Sequence, residues 1–327
     1  MYKQILLYAL LIVLSWTTSA FHWSTPTTTM TVLKKPKPKE VVPLVVPFKR
    51  IGGLVIVEAE IDGTKGNFIV DTGAPTLILN INRVDHARPS RTEQSLGING
   101  QVNQIYEKGI RRMYCGEVVF KNIRAQAIDL SHLEKVRGIP LLGLLGHSLL
   151  KKYEVTFDHT KQELLFHHID RKGRHLHPNT YNYYLPTDSI AFNMVGHIPC
   201  FVTSVGNRRM RLGLDTGAEI NLFDKKHKAT LEKRLAQKTT MDLHGVSSKA
   251  VSADVGKMSY FWIDCLKFQD MTTLFTNFKN FNLAYNRQLD GILGQEFIRQ
   301  RKMSINFKKR KIYFWGPEEE NCHLARK

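Results

Sequence analysis

Phe68-Ile69-Val70-Asp71-Thr72-Gly73-Ala74 and Leu212-Gly213-Leu214-Asp215-Thr216-Gly217-Ala218 are one phrase written twice: an apolar run, then Asp-Thr-Gly-Ala. A single Asp-Thr-Gly ends many ordinary β-turns and says little. Here each copy is also followed by a second apolar run, Leu77-Ile78-Leu79 in one and residues 220–223 in the other. An ungapped offset of 144 sets Asp71 on Asp215 and carries the rhythm with it. It pairs Phe48 with Phe192, Gly52 with Gly196, Ile61 with Val205, Val70 with Leu214 and Ile78 with Leu222.

Further along, Gly143-Leu144-Leu145-Gly146 answers Gly291-Ile292-Leu293-Gly294 at an offset about four residues larger. The larger offset then pairs Phe157 with Ile305, Leu164 with Ile312 and Phe166 with Phe314. This is a duplication on the scale of a domain. Within each copy the short apolar, β-branched runs punctuated by Gly, Asn and Asp predict strands, with Ile61-Asp62-Gly63 as a hairpin turn. A short helix is expected after each glycine element, at residues 147–152 and 295–301, and another at residues 230–237. The alternation Ile305-Phe307 and Ile312-Phe314, with Lys308 to Lys311 between, predicts a terminal hairpin whose turn the lysines form. The expected class is all-β, two pseudo-symmetric lobes with a few short helices.

The paired Asp-Thr-Gly turns and the later apolar-apolar-Gly elements, Leu144-Leu145-Gly146 and Ile292-Leu293-Gly294, resemble the retropepsin-like and pepsin-like aspartic peptidases. The resemblance covers the chain from about Val41 to Trp315, so that each half resembles one retroviral-protease subunit. It implies the acid-protease fold, with Asp71 and Asp215 as a catalytic pair and no cofactor. Thr72 and Thr216 are implied to bond across the junction, with Gly73, Ala74, Gly217 and Ala218 supporting the turns. It also implies a hairpin flap between Asp turn and glycine element, in one copy or in both, with ordinary surface hairpins as the other reading. Candidates are Leu96-Gly97-Ile98-Asn99-Gly100, where Asn-Gly signals a tight turn, and Leu243-His244-Gly245-Val246-Ser247. Retroviral enzymes carry an arginine after the glycine element, where this chain has His147 and Gln295, so the usual ion pair at the lobe junction is expected to be missing.

Two acids serve this chemistry because close like charges do not both ionise cheaply: one stays protonated while the other remains a base. The ionised member takes a proton from water as it attacks a peptide carbonyl, and the protonated member donates to the developing oxyanion. No metal is required. Ala74 and Ala218 stand where many pepsin-like enzymes place a hydroxyl residue. Lacking that donor, the pair is expected to work at mildly acidic to near-neutral pH. The expected function is aspartic endopeptidase acting on polypeptide bound in extended form. The reading from another class is an inactive duplicated fold that binds peptides or anionic envelope polymers.

The rest of the sequence bounds this reading. With 327 residues, 43% of them hydrophobic, and 17 Phe and 11 Tyr, a packed core is expected. Residues 1–20 read as an export signal, with Lys3, an apolar stretch and the small residues Thr18-Ser19-Ala20, and cleavage is expected after Ala20. The alternative is an uncleaved anchor, so the destination is periplasmic, secreted or membrane-tethered. Residues 21–40 read as a basic Pro-rich spacer, 41–169 and 183–316 as the two lobes, 170–182 as their linker and 317–327 as a tail. The formal charge of +18 predicts at most a weak contact with anionic surfaces and no specific nucleic-acid site. A monomer is expected, because both lobes lie in one chain.

Four cysteines, Cys115, Cys200, Cys265 and Cys322, have no metal-type spacing and are read as buried small side chains or one or two bridges. His159, His167, His168, His175 and His177 gather near the linker and are expected to be solvated. The sequence contains no phosphate-binding loop, Gly-x-Ser-x-Gly elbow or His-Glu-x-x-His, so phosphoryl transfer, serine hydrolysis and zinc proteolysis have no support.

Overall fold

In strand Leu54–Ile61 every second residue from Val55 onward is apolar, and both faces of most of the strand are covered. Val55, Val57, Ala59 and Ile61 point into a core that runs through both halves of the molecule. Leu54 and Ile56 point the other way, into a smaller cluster with Ile69, Ile78 and Leu144 beside the Asp71 turn. The chain reverses at Asp62 and Gly63, whose φ values of 45° and 92° suit a two-residue hairpin between right-twisted strands. It then returns as Thr64–Asp71, which ends on the aspartate.

The computed structural model describes residues 43–89, 95–97, 100–102, 104–176, 185–205, 208–243, 251–263, 266–285 and 288–316. All of them fall in one compact unit, residues 40–327. The first half forms an eight-stranded sheet in the order Lys49–Ile51, Leu54–Ile61, Thr64–Asp71, Gly143–Gly146, Ile78–Asn80, Val118–Ile128, Tyr106–Cys115 and Arg88–Pro89. The second half repeats that order with Asn193–Val195, Ile198–Val205, Arg208–Leu214, Gly291–Leu293, Asn221–Asp224, Leu266–Thr276, Val251–Ile263 and Leu235–Leu243. The fold is the all-β, two-lobed architecture expected from the duplication.

A third sheet of six strands joins the lobes. The first half supplies Leu44–Pro47, Glu163–His168 and Tyr153–Asp158, and the second supplies Lys302–Asn306, Lys311–Trp315 and Asp188–Ala191. At the seam Val155 pairs with Ile305 and Thr156 with Ser304. Phe157, Phe166, Ile305, Ile312 and Phe314 of this sheet are buried, each worth about 2 kcal/mol of apolar burial. A covalent linker therefore joins halves that are already held by a shared core.

Each glycine element threads between the two strands that flank its Asp turn. Gly143–Gly146 runs parallel to Thr64–Asp71, with Gly146 beside Asp71, and antiparallel to Ile78–Asn80. Gly291–Leu293 does the same between Arg208–Leu214 and Asn221–Asp224. The glycines are needed because the backbones nearly touch. A Cβ on Gly146 would overlap the Thr76 carbonyl oxygen, and one on Gly294 that of Ala218.

The helices are α1 Ser131–Arg137, α2 His147–Leu150, α3 Lys228–Leu231, α4 Lys279–Tyr285 and α5 Gln295–Ile298. α2 and α5 follow the glycine elements as expected but are one turn long. The helix expected over 230–237 begins at Lys228, passes through a 3-10 turn at Glu232–Arg234 and gives way to strand at Leu235. Pairing with Val251–Ile263 across a bulge near Gln237 overrides the local pattern there. α1 and α4 were not anticipated: at seven residues each they are too short to display a helical period.

The solvated histidines are a correction. His167 is buried, His159 packs edge-on against Phe48 and His168 lies over Tyr153. His175 stacks on His167 at 5.0 Å and reaches the buried Glu154 carboxylate at 3.1 Å. Glu154 also accepts from Ser304 Oγ (3.0 Å) and Asn306 Nδ2 (2.7 Å) of the other lobe. A carboxylate buried at the seam needs such partners, and the start of the linker folds back to supply one. His177 lies outside the described residues. Cys115 and Cys200 are buried free thiols, which burial pushes up to about 12 and about 11. Cys265 and Cys322 lie outside the described residues.

Replacing Gly146 by Ala should destabilise the protein by about 3 kcal/mol, since backbone on the neighbouring strand must give way. Gly109→Ala, where a Cβ would meet nothing within 4 Å, should change stability by no more than about 0.5 kcal/mol. Urea unfolding of the two variants beside the parent measures the contrast.

Candidate active site

Asp71 ends its strand and Asp215 directly follows Arg208–Leu214, so the two turns meet where the lobes join. Thr72 and Thr216, both fully buried, hold them together. The Thr72 N–H donates to Thr216 Oγ1 at 2.9 Å, and the Thr216 N–H to Thr72 Oγ1 at 3.0 Å. Each hydroxyl donates in turn beneath the opposite turn: Thr72 Oγ1 to the Leu214 carbonyl (3.2 Å) and Thr216 Oγ1 to the Val70 carbonyl (2.8 Å). Every donor and acceptor in this set is used, as burial demands.

Above the threonines the carboxylates converge. The Gly73 N–H donates to Asp71 Oδ1 (2.8 Å) and to Asp215 Oδ1 (3.0 Å). Gly217 N–H donates to Asp215 Oδ1 at 2.9 Å, and Ala74 N–H to Asp71 Oδ1 at 3.1 Å. The glycines permit the approach: a Cβ on Gly73 would overlap the Asp215 carboxylate, and one on Gly217 the Asp71 carboxylate. Both aspartates remain partly exposed.

The Asp71 carboxyl is held well above the ordinary carboxylate range, first by burial, then by the charge of Asp215 and a hydrogen bond with it. The Gly73 and Ala74 N–H groups oppose that shift. These two donors are backbone. Ala74 and Ala218 bring no hydroxyl, and their carbonyls instead accept from His147 N (2.9 Å) and Gln295 N (2.8 Å) at the starts of α2 and α5.

His147 and Gln295, which directly follow the two glycine elements, have other work. Gln295 Nε2 donates to the Thr216 carbonyl at 2.7 Å and props that turn from below. His147 packs its ring edge-on against Phe307, centroids 4.8 Å apart. A different ion pair crosses the junction: Arg137 of α1 meets Glu219 at 2.6 Å. Glu219 directly follows the second Asp-Thr-Gly-Ala, where the first copy has Pro75. Gly52 leaves room for the pair, since a Cβ there would lie 2.7 Å from Arg137 Nη1. The Pro75/Glu219 mismatch was the available signal for Glu219. Arg137 had none, because α1 was not foreseen.

Of the flap candidates, Gly97 and Gly100 face each other where Ser95–Gly97 pairs with Gly100–Val102. Gly100 is thus a strand residue and not the turn centre that Asn-Gly suggested; Asn99 lies outside the described residues. Ser95–Gly97 lies against α4 of the other lobe. In the second half Leu235–Leu243 and Val251–Ile263 form a long hairpin with Leu243 opposite Val251, and Gly245 lies outside the described residues. Among the described residues no group of three or more His, Cys, Asp or Glu is placed to hold a metal ion.

A family model described as aspartyl protease matches the chain twice, at residues 57–149 and 202–297. Each match contains one Asp-Thr-Gly-Ala turn and the glycine element that threads beside it. No curated protein matches the chain.

Thr216→Ala strands the buried Thr72 N–H and Val70 carbonyl and should cost about 2–4 kcal/mol, whereas Thr216→Ser keeps both bonds and should cost less than half as much in the same unfolding assay. Asp71→Asn should raise the unfolding midpoint at neutral pH. A carboxyl whose folded pKa is raised favours folding while protonated and loses that contribution as pH climbs through the folded value. The gain over the parent should therefore vanish as pH falls below the ordinary value of 3.8, which calorimetry across a pH series measures.

Proposed function

Because the chain belongs to the aspartyl protease family, we propose that it is a single-chain aspartic endopeptidase in which Asp71 and Asp215 act as one proton-sharing pair. The observation that supports this most directly is the single Gly73 N–H donating to both inner carboxylate oxygens. In this reading Asp71, which burial and the neighbouring charge push up, carries the shared proton, and Asp215 is the base.

Asp215 takes a proton from a water molecule as the water oxygen bonds to the scissile carbonyl carbon, and Asp71 gives its proton to the carbonyl oxygen. The resulting diol collapses as Asp215 passes its proton to the peptide nitrogen, a diol hydroxyl returns one to Asp71 and the C–N bond breaks. The pair then holds one proton again. Because the carboxylates are already oriented by backbone N–H groups, little reorganisation is needed as charge moves.

The substrate is an extended polypeptide, laid as an added strand between the hairpins of the two halves. One chain carries both aspartates, so a monomer suffices. Export through residues 1–20, followed by weak contact of the basic surface with anionic partners, completes the proposal. A fold that only binds peptides or anionic envelope polymers would have no use for two facing carboxylates in which Asp215 raises the cost of ionising Asp71.

Cleavage of a diverse peptide library by the purified protein tests this reading. Asp71→Asn and Asp215→Asn should each lower kcat by at least about 10³-fold while leaving the protein folded. Equal inertness of the parent and both variants from acid to neutral pH would overturn it. The kcat/KM profile should peak at mildly acidic to near-neutral pH, above the ordinary aspartate value of about 3.9, because no hydroxyl donates to the pair from positions 74 and 218. A maximum near pH 3 or below would contradict that assignment.

A further inference from the structure

His197 sits on the turn between strands Asn193–Val195 and Ile198–Val205 of the second lobe, and its side chain reaches across the junction to the first. Its Nε2 makes a hydrogen bond with the Gly73 carbonyl oxygen. A carbonyl only accepts, so Nε2 carries the proton and donates. The same peptide unit continues on its other side as the Ala74 N–H, which donates to Asp71 Oδ1 at 3.1 Å. Imidazole, peptide and carboxylate thus form one chain of hydrogen bonds that passes from the second lobe into the first. Each bond in such a chain polarises the next.

The arrangement has no counterpart in the other half. At the offset that relates the two copies, His197 corresponds to Gly53, which has no side chain to reach the second turn and lies instead against Glu219. One carboxylate of the pair therefore has an imidazole behind its donor peptide, and the other does not. Nothing in the Asp-Thr-Gly-Ala pattern or the glycine elements marks position 197.

We infer that His197 is a positioning residue of the aspartate pair, holding the Gly73–Ala74 peptide and strengthening its donation to Asp71. The inference rests on the peptidase reading for its role in turnover, though not for the coupling itself. Among the described residues, the charged and titratable groups that face His197 include Asp215 and, through the peptide, Asp71, together with His147 of α2, whose ring centroid is 6.4 Å away. Burial and then the Lys151 charge hold His147 down to about 4, so that it stays neutral beside His197. Burial disfavours the imidazolium while Asp215 and the Gly73 carbonyl favour it. Neutral or charged, the ring donates from Nε2. Acidification makes it the stronger donor.

His197→Phe keeps a ring in place and removes the donor, and His197→Gln keeps a donor that does not titrate. With a weaker N–H on Asp71, its ionised form loses support and the pair should titrate at higher pH. For His197→Phe we expect the alkaline limb of the kcat/KM profile, where Asp71 gives up the shared proton, to move up by about half a pH unit. Its kcat per titrated active site should fall about tenfold with KM little changed. His197→Gln should return both toward the parent. A purely structural role would lower the amount of folded protein and leave the profile of the remainder where it was.

The coupling is also read without turnover, from the pH dependence of thermal unfolding in the parent, His197→Phe, Asp71→Asn and the double variant. The expected result is that the pH at which the parent loses stability shifts upward in His197→Phe and that this shift disappears in the Asp71→Asn background. Identical pH dependence of parent and His197→Phe, or a shift that survives in Asp71→Asn, would overturn the inference. A parent that cleaves no peptide but shows the Asp71-dependent shift would sink the peptidase reading alone.

Discussion

Thr72 and Thr216 exchange hydrogen bonds through both backbone and side chain across the lobe junction, and the rest of the site depends on that exchange. Each threonine satisfies the other's buried N–H and a carbonyl under the opposite turn. The set closes only if both halves arrive with the same local geometry, because each hydroxyl must accept from one lobe and donate to it again. Two copies of one turn meet this condition automatically. The duplication is therefore a physical requirement of the junction as well as a record of how the sequence is built.

With the turns locked, the spacing between carboxylates follows from what the glycines leave out. Gly73 and Gly217 let each aspartate rest against the other turn's backbone, and Gly146 and Gly294 let the threading strands support both turns from below. Burial and mutual repulsion then raise the cost of ionising Asp71, while backbone donors lower it. The competition among these effects decides the protonation of the pair. The alanine side chains bring no donor to it, and His197 reaches it from the other lobe through the Gly73–Ala74 peptide.

The halves are alike where they support the turns and unlike around them. Glu219 pairs with Arg137 where the first copy has Pro75, and His197 reaches over where the first copy has Gly53. The first half sends Ser95–Gly97 against α4 of the second, while the second carries one long hairpin, Leu235–Leu243 with Val251–Ile263. A site with a symmetric floor and asymmetric surroundings suits an extended substrate whose two ends differ. The six-stranded seam sheet, with Glu154 bonded to both lobes and to His175, keeps the halves in register beneath it.

The all-β class, the two lobes, the strand before each Asp-Thr-Gly-Ala and the threading glycine elements were legible from the sequence alone. Each is written in neighbouring residues, as alternation, as a turn or as a repeated phrase. What the sequence left unread involves partners far apart in the chain. The meeting of Arg137 with Glu219, the relay from His197, the burial of His167 and the docking of His175 on Glu154 all come from tertiary contacts. A histidine in a charged stretch looks solvated until the strand that carries Glu154 is placed beside it, and a lone histidine before a strand looks like any other until the opposite lobe supplies a carbonyl. Local pattern determines which residues form the turns; only the packing of one lobe against the other decides what stands behind them, because hydrogen-bond partners are chosen by distance in space.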